Sequence, residues 1–266
     1  MTFPKCDFHT HTTFSDGSAS PEKMVEAAIG KGMEAIGFSD HALTGFDLSY
    51  CMLCEKRKNY CSEILRLKEK YRGKIEIFLG LEKDAFSDPD PFPYDYTIGS
   101  VHYFEVGDVR IAVDCSDEIQ REAARAFFHG DALALAENYF ESVGRVLETT
   151  GADLIGHFDL LTKFCEGSSL FDRSSPRYRA AWRKAADRLL ETGKPFEVNT
   201  GAISRGYRSS PYPDDEILAY LAERGASFVL SGDAHSPEAL MCSFGEAADR
   251  LEAVGAHPKD FRSFLK

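Results

Sequence analysis

The chain has 266 residues, 43% of them apolar, and a formal net charge of −12. That length suits one α/β domain spanning residues 1–266, and the acidic balance argues against a broad basic surface for nucleic acid. No apolar run approaches the roughly 18–20 residues that cross a bilayer, so no membrane partner is expected.

The N-terminal MTFPKCDFHT carries no apolar signal segment, and the seven cysteines are an odd number. Both point to free thiols in a reducing cytoplasm. KCDFHTH (5–11) reads as the first strand. SPEKMVEAAIGKG (20–32) reads as a helix with Ser20 as N-cap, Pro21 in the first turn and glycine at its end. AIGFSDH (35–41) is the second strand, and residues 50–71 have helical spacing. Cys51-x-x-Cys54 and Cys61 fall inside that helix, where cysteine acts as a small hydrophobe. A metal role there is the weaker reading, since a structural zinc site usually needs four ligands.

IEIFLGLE (75–82) and YTIGSVH (96–102) are the third and fourth strands. The link that follows is longer and includes a hairpin near VGD (106–108). Helices over 131–149, 176–192, 214–224 and 237–253 then alternate with strands DLIGH (153–157), PFEVNT (195–200) and SFVLSGD (227–233). Most of these strands are nearly continuous apolar runs, which suits a parallel sheet buried on both faces.

The strand ends carry the chemistry. The first strand ends in His9 and His11, the second in Asp40 and His41, the third in Glu82, and the fourth in His102. His157, Asn199, and Asp233 with His235 follow on the fifth, sixth and seventh. Six of the eight histidines lie at these ends; only His129, closing a helix-like run, and His257, in a loop, do not. In a barrel of parallel strands these ends meet at one mouth. Carboxylates gathered there would repel one another, and divalent cations relieve this, since imidazole with carboxylate suits zinc, iron and manganese.

The ordered set DFHTHTTFSDG (7–17), GFSDHA (37–42), IFLGLE (77–82), DYTIGSVH (95–102), LIGHFDLLTKF (154–164), EVNTGAISRG (197–206) and VLSGDAHSPE (229–238) resembles the polymerase-and-histidinol-phosphatase (PHP) family of metal-dependent phosphoesterases. Within the family it is most similar to the histidinol-phosphate phosphatase branch. The resemblance implies a distorted (β/α)7 barrel with three divalent metal ions (zinc, manganese or iron) at the C-terminal ends of the strands. It implies His9, His11, Glu82 and Asp233 on the first metal, with Glu82 bridging to a second completed by His102 and His157. Asp16, His41 and His235 are implied on the third. The implied substrate is a small phosphate monoester, L-histidinol phosphate, and the implied product L-histidinol.

Two such ions about 3.5–4 Å apart can lower the pKa of a shared water, and three of them outweigh the ligand carboxylates, so the mouth would attract a phosphate dianion. Catalytic work is assigned to Asp233, Glu82 and His235, with Asp233 or a mouth histidine as the candidate proton donor to the leaving alkoxide. Arg205, favoured over Arg208, and Lys163 are candidate phosphate contacts; the alternative for each is a solvated surface side chain. Asn199 either contacts substrate or satisfies barrel backbone. Asp40 either orients a ligand imidazole or caps a helix. Loops 43–50 and 86–94 are expected to wall the mouth. A nucleotide, a sugar phosphate or an oligonucleotide end would use the same metal site. A single-strand groove, however, would add a basic track, of which little is visible. A non-enzymatic metal-binding or partner-binding module is the remaining alternative.

Overall fold

β1 (Cys6–Asp7) is followed by α1 (Pro21–Gly30), β2 (Ala35–Phe38), α2 (Cys54–Lys70), β3 (Glu76–Asp84) and β4 (Tyr96–Ser100) in a computed structural model that describes residues 3–166 and 170–265. An antiparallel hairpin, β5 (Tyr103–Val106) and β6 (Val109–Ala112), comes next, turning at Gly107, where φ is +61°. The chain continues through α3 (Asp117–Phe128), α4 (Ala132–Val143), α5 (Val146–Thr150), β7 (Leu154–Ile155), α6 (Pro176–Leu190), β8 (Phe196–Asn199), α7 (Gly201–Ser204), α8 (Asp215–Glu223), β9 (Phe228–Ser231) and α9 (Phe244–Ala253).

Seven strands pair in parallel in the order β1-β2-β3-β4-β7-β8-β9. The two edges meet at a parallel bridge between Thr10 and Ala234, where the His11 N–H donates to the Ala234 carbonyl at 2.9 Å and the Ala234 N–H to the His9 carbonyl at 3.0 Å. The result is a distorted (β/α)7 barrel, as the family resemblance implies.

All of these seven strands but β3 are shorter than the apolar runs suggest, for a reason hydropathy cannot show. At the C-terminal ends, carboxylates take the backbone N–H groups that a neighbouring strand would otherwise receive. The His9 N–H donates to Asp7 Oδ1 (3.2 Å), that of His102 to Asp84 Oδ2 (2.7 Å), that of His157 to Glu197 Oε2 (3.0 Å), and that of Gly232 to Asp7 Oδ1 (3.0 Å). Every such buried donor needs a partner, and a side chain serves as well as a ladder.

Two helical readings also change. The run 131–149 divides at Gly144, where α6 comes so close that a Cβ would stand 3.2 Å from Ala185 Cα. The run 237–253 begins as a short 3-10 turn (237–239), then passes through Met241 and Ser243 at positive φ before α9 starts. Cys54 opens α2 and Cys61 lies within it, while buried Cys51 precedes it; all seven cysteines are free thiols. No helix among the described residues is long and apolar enough to cross a membrane.

The barrel interior is filled by aromatics. Phe8 packs edge-on against Tyr96 (ring centroids 5.4 Å apart) and Phe261 (5.1 Å). The Tyr96 hydroxyl donates to the Phe8 carbonyl at 2.6 Å. Phe261 comes from the C-terminal 3-10 turn, and its neighbour Arg262 reaches Glu34 and Glu76, just before β2 and at the start of β3. The C-terminal segment therefore covers the end of the barrel opposite the histidines. Gly37 and Gly80 make room for the Tyr96 ring: a Cβ on Gly80 would lie 2.3 Å from Tyr96 Cζ. Gly80→Ala is expected to cost about 1–3 kcal/mol through overpacking, read as a lowered urea midpoint with an unchanged slope.

Candidate metal centre

The mouth gathers every histidine that the sequence places at a strand end. His9 Nε2 lies 3.1 Å from Glu82 Oε2 and 3.8 Å from Asp233 Oδ1; His11 Nε2 lies 3.5 Å and 3.4 Å from the same two oxygens. Ligand bonds of about 2.0–2.2 Å in a tetrahedral site put donor atoms roughly 3.2–3.6 Å apart, so this quartet has the spacing of a cation cage. A second set uses the other oxygen of Glu82: Oε1 is 3.1 Å from His157 Nε2 and 3.6 Å from His102 Nε2. A third forms around Asp16, with His235 Nε2 at 3.1 Å, His41 Nε2 at 3.7 Å and His11 Nδ1 at 3.8 Å. His41 Nδ1 also stands 2.9 Å from Glu82 Oε2, so neighbouring sets share residues.

The donor chemistry fits divalent ions. His9 Nε2, both ring nitrogens of His11, and Glu82 Oε2 are buried without a hydrogen-bond partner. Four such atoms would be costly to leave unpaired; a cation would satisfy His9 Nε2, His11 Nε2 and Glu82 Oε2 together, and a second beside Asp16 would satisfy His11 Nδ1. Asp233 is held at φ 46°, a left-handed conformation that aspartate tolerates better than most residues.

The electrostatics carry the same signature. Burial would depress His102, but Glu82 and Asp84 outweigh it and raise it to about 9. Burial and the neighbouring His235 and His41 push His11 down to about 3. The Glu82 carboxyl, buried beside His9, His41 and His102, is held well below the usual range. Cation binding must displace the imidazolium protons. Affinity should therefore rise with pH up to about 9, where His102 loses its proton by itself. Adding zinc to weakly buffered metal-free protein at pH 7 is expected to release protons, measured with an indicator dye.

Several sequence readings change here. Asp40 touches no imidazole and caps no helix. Its carboxylate accepts the N–H groups of Thr12 (2.9 Å) and Ser15 (3.0 Å) and both their hydroxyls, which shapes the loop that presents Asp16. Asn199 is fully buried and lies off the cavity; it donates to Glu197 Oε2 at 3.1 Å and accepts from the Gly201 N–H at 2.9 Å. Of its two readings, satisfying barrel backbone is the one observed. Arg208 is no solvated loop arginine: it is 4% exposed, bonded to Thr162 and Asp214, and stacked on Tyr212. That anchors the segment after β8 to the segment after β7.

Arg205 does reach the centre. Its Nη2 donates to Asp233 Oδ2 at 2.9 Å, and its Nη1 lies 2.8 Å from His235 Nδ1. Lys163 Nζ donates to the Asp114 carbonyl at 2.8 Å and sits 4.7 Å from the Tyr207 ring centroid. His129 and His257 are exposed and outside all these sets.

Asp7, Asp84, Ser100 and Glu197 escaped the sequence reading. Ser100 donates to Glu82 Oε1 at 2.5 Å, and Glu197 Oε1 lies 2.7 Å from His9 Nδ1. The alternation within EVNT was the available signal for Glu197: it shares a strand face with Asn199.

A cavity of about 250 Å3 opens onto the centre. Its lining includes Asp16, His41, His102, His157, Asp233, His235, Arg205 and Lys163, and beyond them Asp47, Tyr50, Tyr103 and Asp114. Loop 43–50 thus walls the mouth as expected. Loop 86–94 does not: Asp88, Pro89 and Asp90 line a separate small cleft with Cys54 and Arg57.

The family model described as the PHP domain matches residues 7–201. The chain belongs to the PHP family. Its PHP relatives include a protein of Deinococcus radiodurans named "Probable histidinol-phosphatase", 27% identical over 97% of this chain and 96% of the relative. The histidinol-phosphatase of Bacillus subtilis is 28% identical over 87% of this chain and 93% of the relative. Among solved PHP structures, histidinol phosphate phosphatase from Lactococcus lactis, complexed with zinc, L-histidinol and phosphate, aligns with a TM-score of 0.74 at 23% identity, covering 97% of this chain and 96% of that one. At that identity the likeness speaks for the fold.

Proposed function

We propose that this chain is a metal-dependent phosphomonoesterase that hydrolyses L-histidinol phosphate to L-histidinol and phosphate, as a single PHP barrel working in the cytoplasm. In this reading His9, His11, Glu82 and Asp233 hold one divalent ion, Glu82, His102 and His157 a second, and Asp16, His41 and His235 a third. Zinc, manganese and iron all suit these ligands. The bound ions would supply an activated water and neutralise phosphoryl charge.

The protein's own groups do the rest. Arg205 offers a planar fork beside Asp233, suited to two phosphoryl oxygens. Arg208, buried and bonded to Thr162 and Asp214, keeps that loop in place. Asp233 and His235 are the candidates to return a proton to the leaving alkoxide.

The observation that carries the substrate is the mixed lining of the cavity, cationic groups together with acidic and aromatic ones. Arg205 and Lys163 are the groups that suit phosphate. Asp47, whose carboxylate accepts from the Tyr103 hydroxyl, and Tyr50, stacked on Tyr103 at 6.2 Å, form an acidic and aromatic wall. Such a wall suits a cationic amine and a flat imidazole. A cavity of about 250 Å3 is small for a site, which favours a compact monoester over an oligonucleotide strand.

The test is kcat/KM for phosphate release by manganese- or zinc-loaded enzyme from L-histidinol phosphate, an aryl phosphate, several nucleotides and a short oligonucleotide. A preference for histidinol phosphate of about 10³-fold, roughly 4 kcal/mol, is expected. Parity with the aryl phosphate would leave the metal chemistry standing and overturn the substrate.

A further inference from the structure

Glu197 lies on β8, fully buried, and its carboxylate spans two of the sets described above. Oε1 stands 2.7 Å from His9 Nδ1. Oε2 accepts the His157 backbone N–H at 3.0 Å and Asn199 Nδ2 at 3.1 Å. An ionised carboxylate only accepts, so Nδ1 of the His9 ring carries a hydrogen, which leaves Nε2 as the nitrogen able to offer a lone pair to a cation. It is Nε2 that faces Glu82 and Asp233 and has no partner of its own. The His9 ring could not turn, nor the His157 backbone shift, without breaking a buried bond to the same side chain.

We propose that Glu197 is a positioning residue: it commits His9 to bind metal through Nε2, and it ties the His9 set to the His157 set so that both are placed by one carboxylate. This inference rests on the metal-binding reading above. It makes an unusual demand on position 197. Three donors converge on two oxygens, so even an isosteric amide fails. In Glu197→Gln, one orientation of the amide aims its NH2 at the His157 N–H and the Asn199 NH2, donor against donor. The other aims it at His9 Nδ1 and favours the tautomer with hydrogen on Nε2, the nitrogen that must ligate. Partners of this kind usually contribute 10–100-fold in metal affinity.

The experiment titrates zinc into metal-free parent and Glu197→Gln protein against a competing chelator, with metal per chain read by mass spectrometry. Long-range proton–nitrogen NMR on histidine-labelled, zinc-loaded parent reports the His9 ring. The expected result is a loss of about 10–100-fold in affinity at two sites, with the Asp16, His41 and His235 site retained, and a parent His9 whose hydrogen is on Nδ1. Unchanged zinc affinity in a folded Glu197→Gln protein would overturn the proposal. So would a parent His9 with hydrogen on Nε2, whether or not the variant folds. A parent that takes up no zinc at all would instead overturn the metal reading itself.

Discussion

Glu82→Gln is expected to lower kcat/KM for phosphate release by about 10³-fold or more, at least roughly 4 kcal/mol of transition-state stabilisation, with the fold intact. Glu82 is the residue whose two oxygens serve different sets. Oε2 faces His9, His11 and His41 at 3.1, 3.5 and 2.9 Å, and Oε1 faces His157 and His102 at 3.1 and 3.6 Å. An amide keeps the shape but replaces one acceptor by a donor, which cannot ligate a cation. It also removes the charge that balances five imidazoles. Metal content should fall together with rate, because one side chain closes two cages. Steady-state kinetics and metal analysis on the same preparation check this, with circular dichroism as the control for folding. Activity within tenfold of the parent at full metal content would show that Glu82 bridges nothing.

Stripping the protein with a chelator is expected to abolish hydrolysis and to lower Tm, both reversed by manganese or zinc. The stability effect follows from mass action: a ligand present at 100 times its Kd adds about 2.7 kcal/mol per site to the folded state. For a chain of this length, roughly 2–4 °C accompanies each kcal/mol, so one site is worth about 5–10 °C. The fall is expected because His9 Nε2, His11 and Glu82 Oε2 are buried without hydrogen bonds, and unfolding would return them to water. Calorimetry with and without chelator measures it. A stripped protein with unchanged turnover would remove the metal from the mechanism.

The residues that gather at the mouth were legible in the sequence. A metal ligand must be a histidine or a carboxylate, and a parallel barrel presents its chemistry at strand ends. Strand prediction and residue type together therefore lead to His9, His11, His41, Glu82, His102, His157 and Asp233 without any knowledge of contacts. His235, two residues past Asp233, follows in the same way; Asp16 lies in a loop beyond the first strand and follows from the family resemblance. The hairpin at Gly107 was legible too, since a tight turn has its own residue chemistry.

What the sequence by itself determined was the alternation of strand and helix and the kind of atom waiting at each strand end. Both are local: apolar spacing and residue type within a few positions suffice. Only the tertiary structure decided how these groups combine. His9 meets Glu197 across 188 positions of sequence, and the barrel closes at Thr10 and Ala234. Arg208 is buried, while Asn199 turns toward Glu197 and Gly201. These outcomes depend on the tilt and stagger with which seven strands close on themselves. That geometry sets which side chain arrives beside which backbone N–H, and burial then requires every donor to find an acceptor.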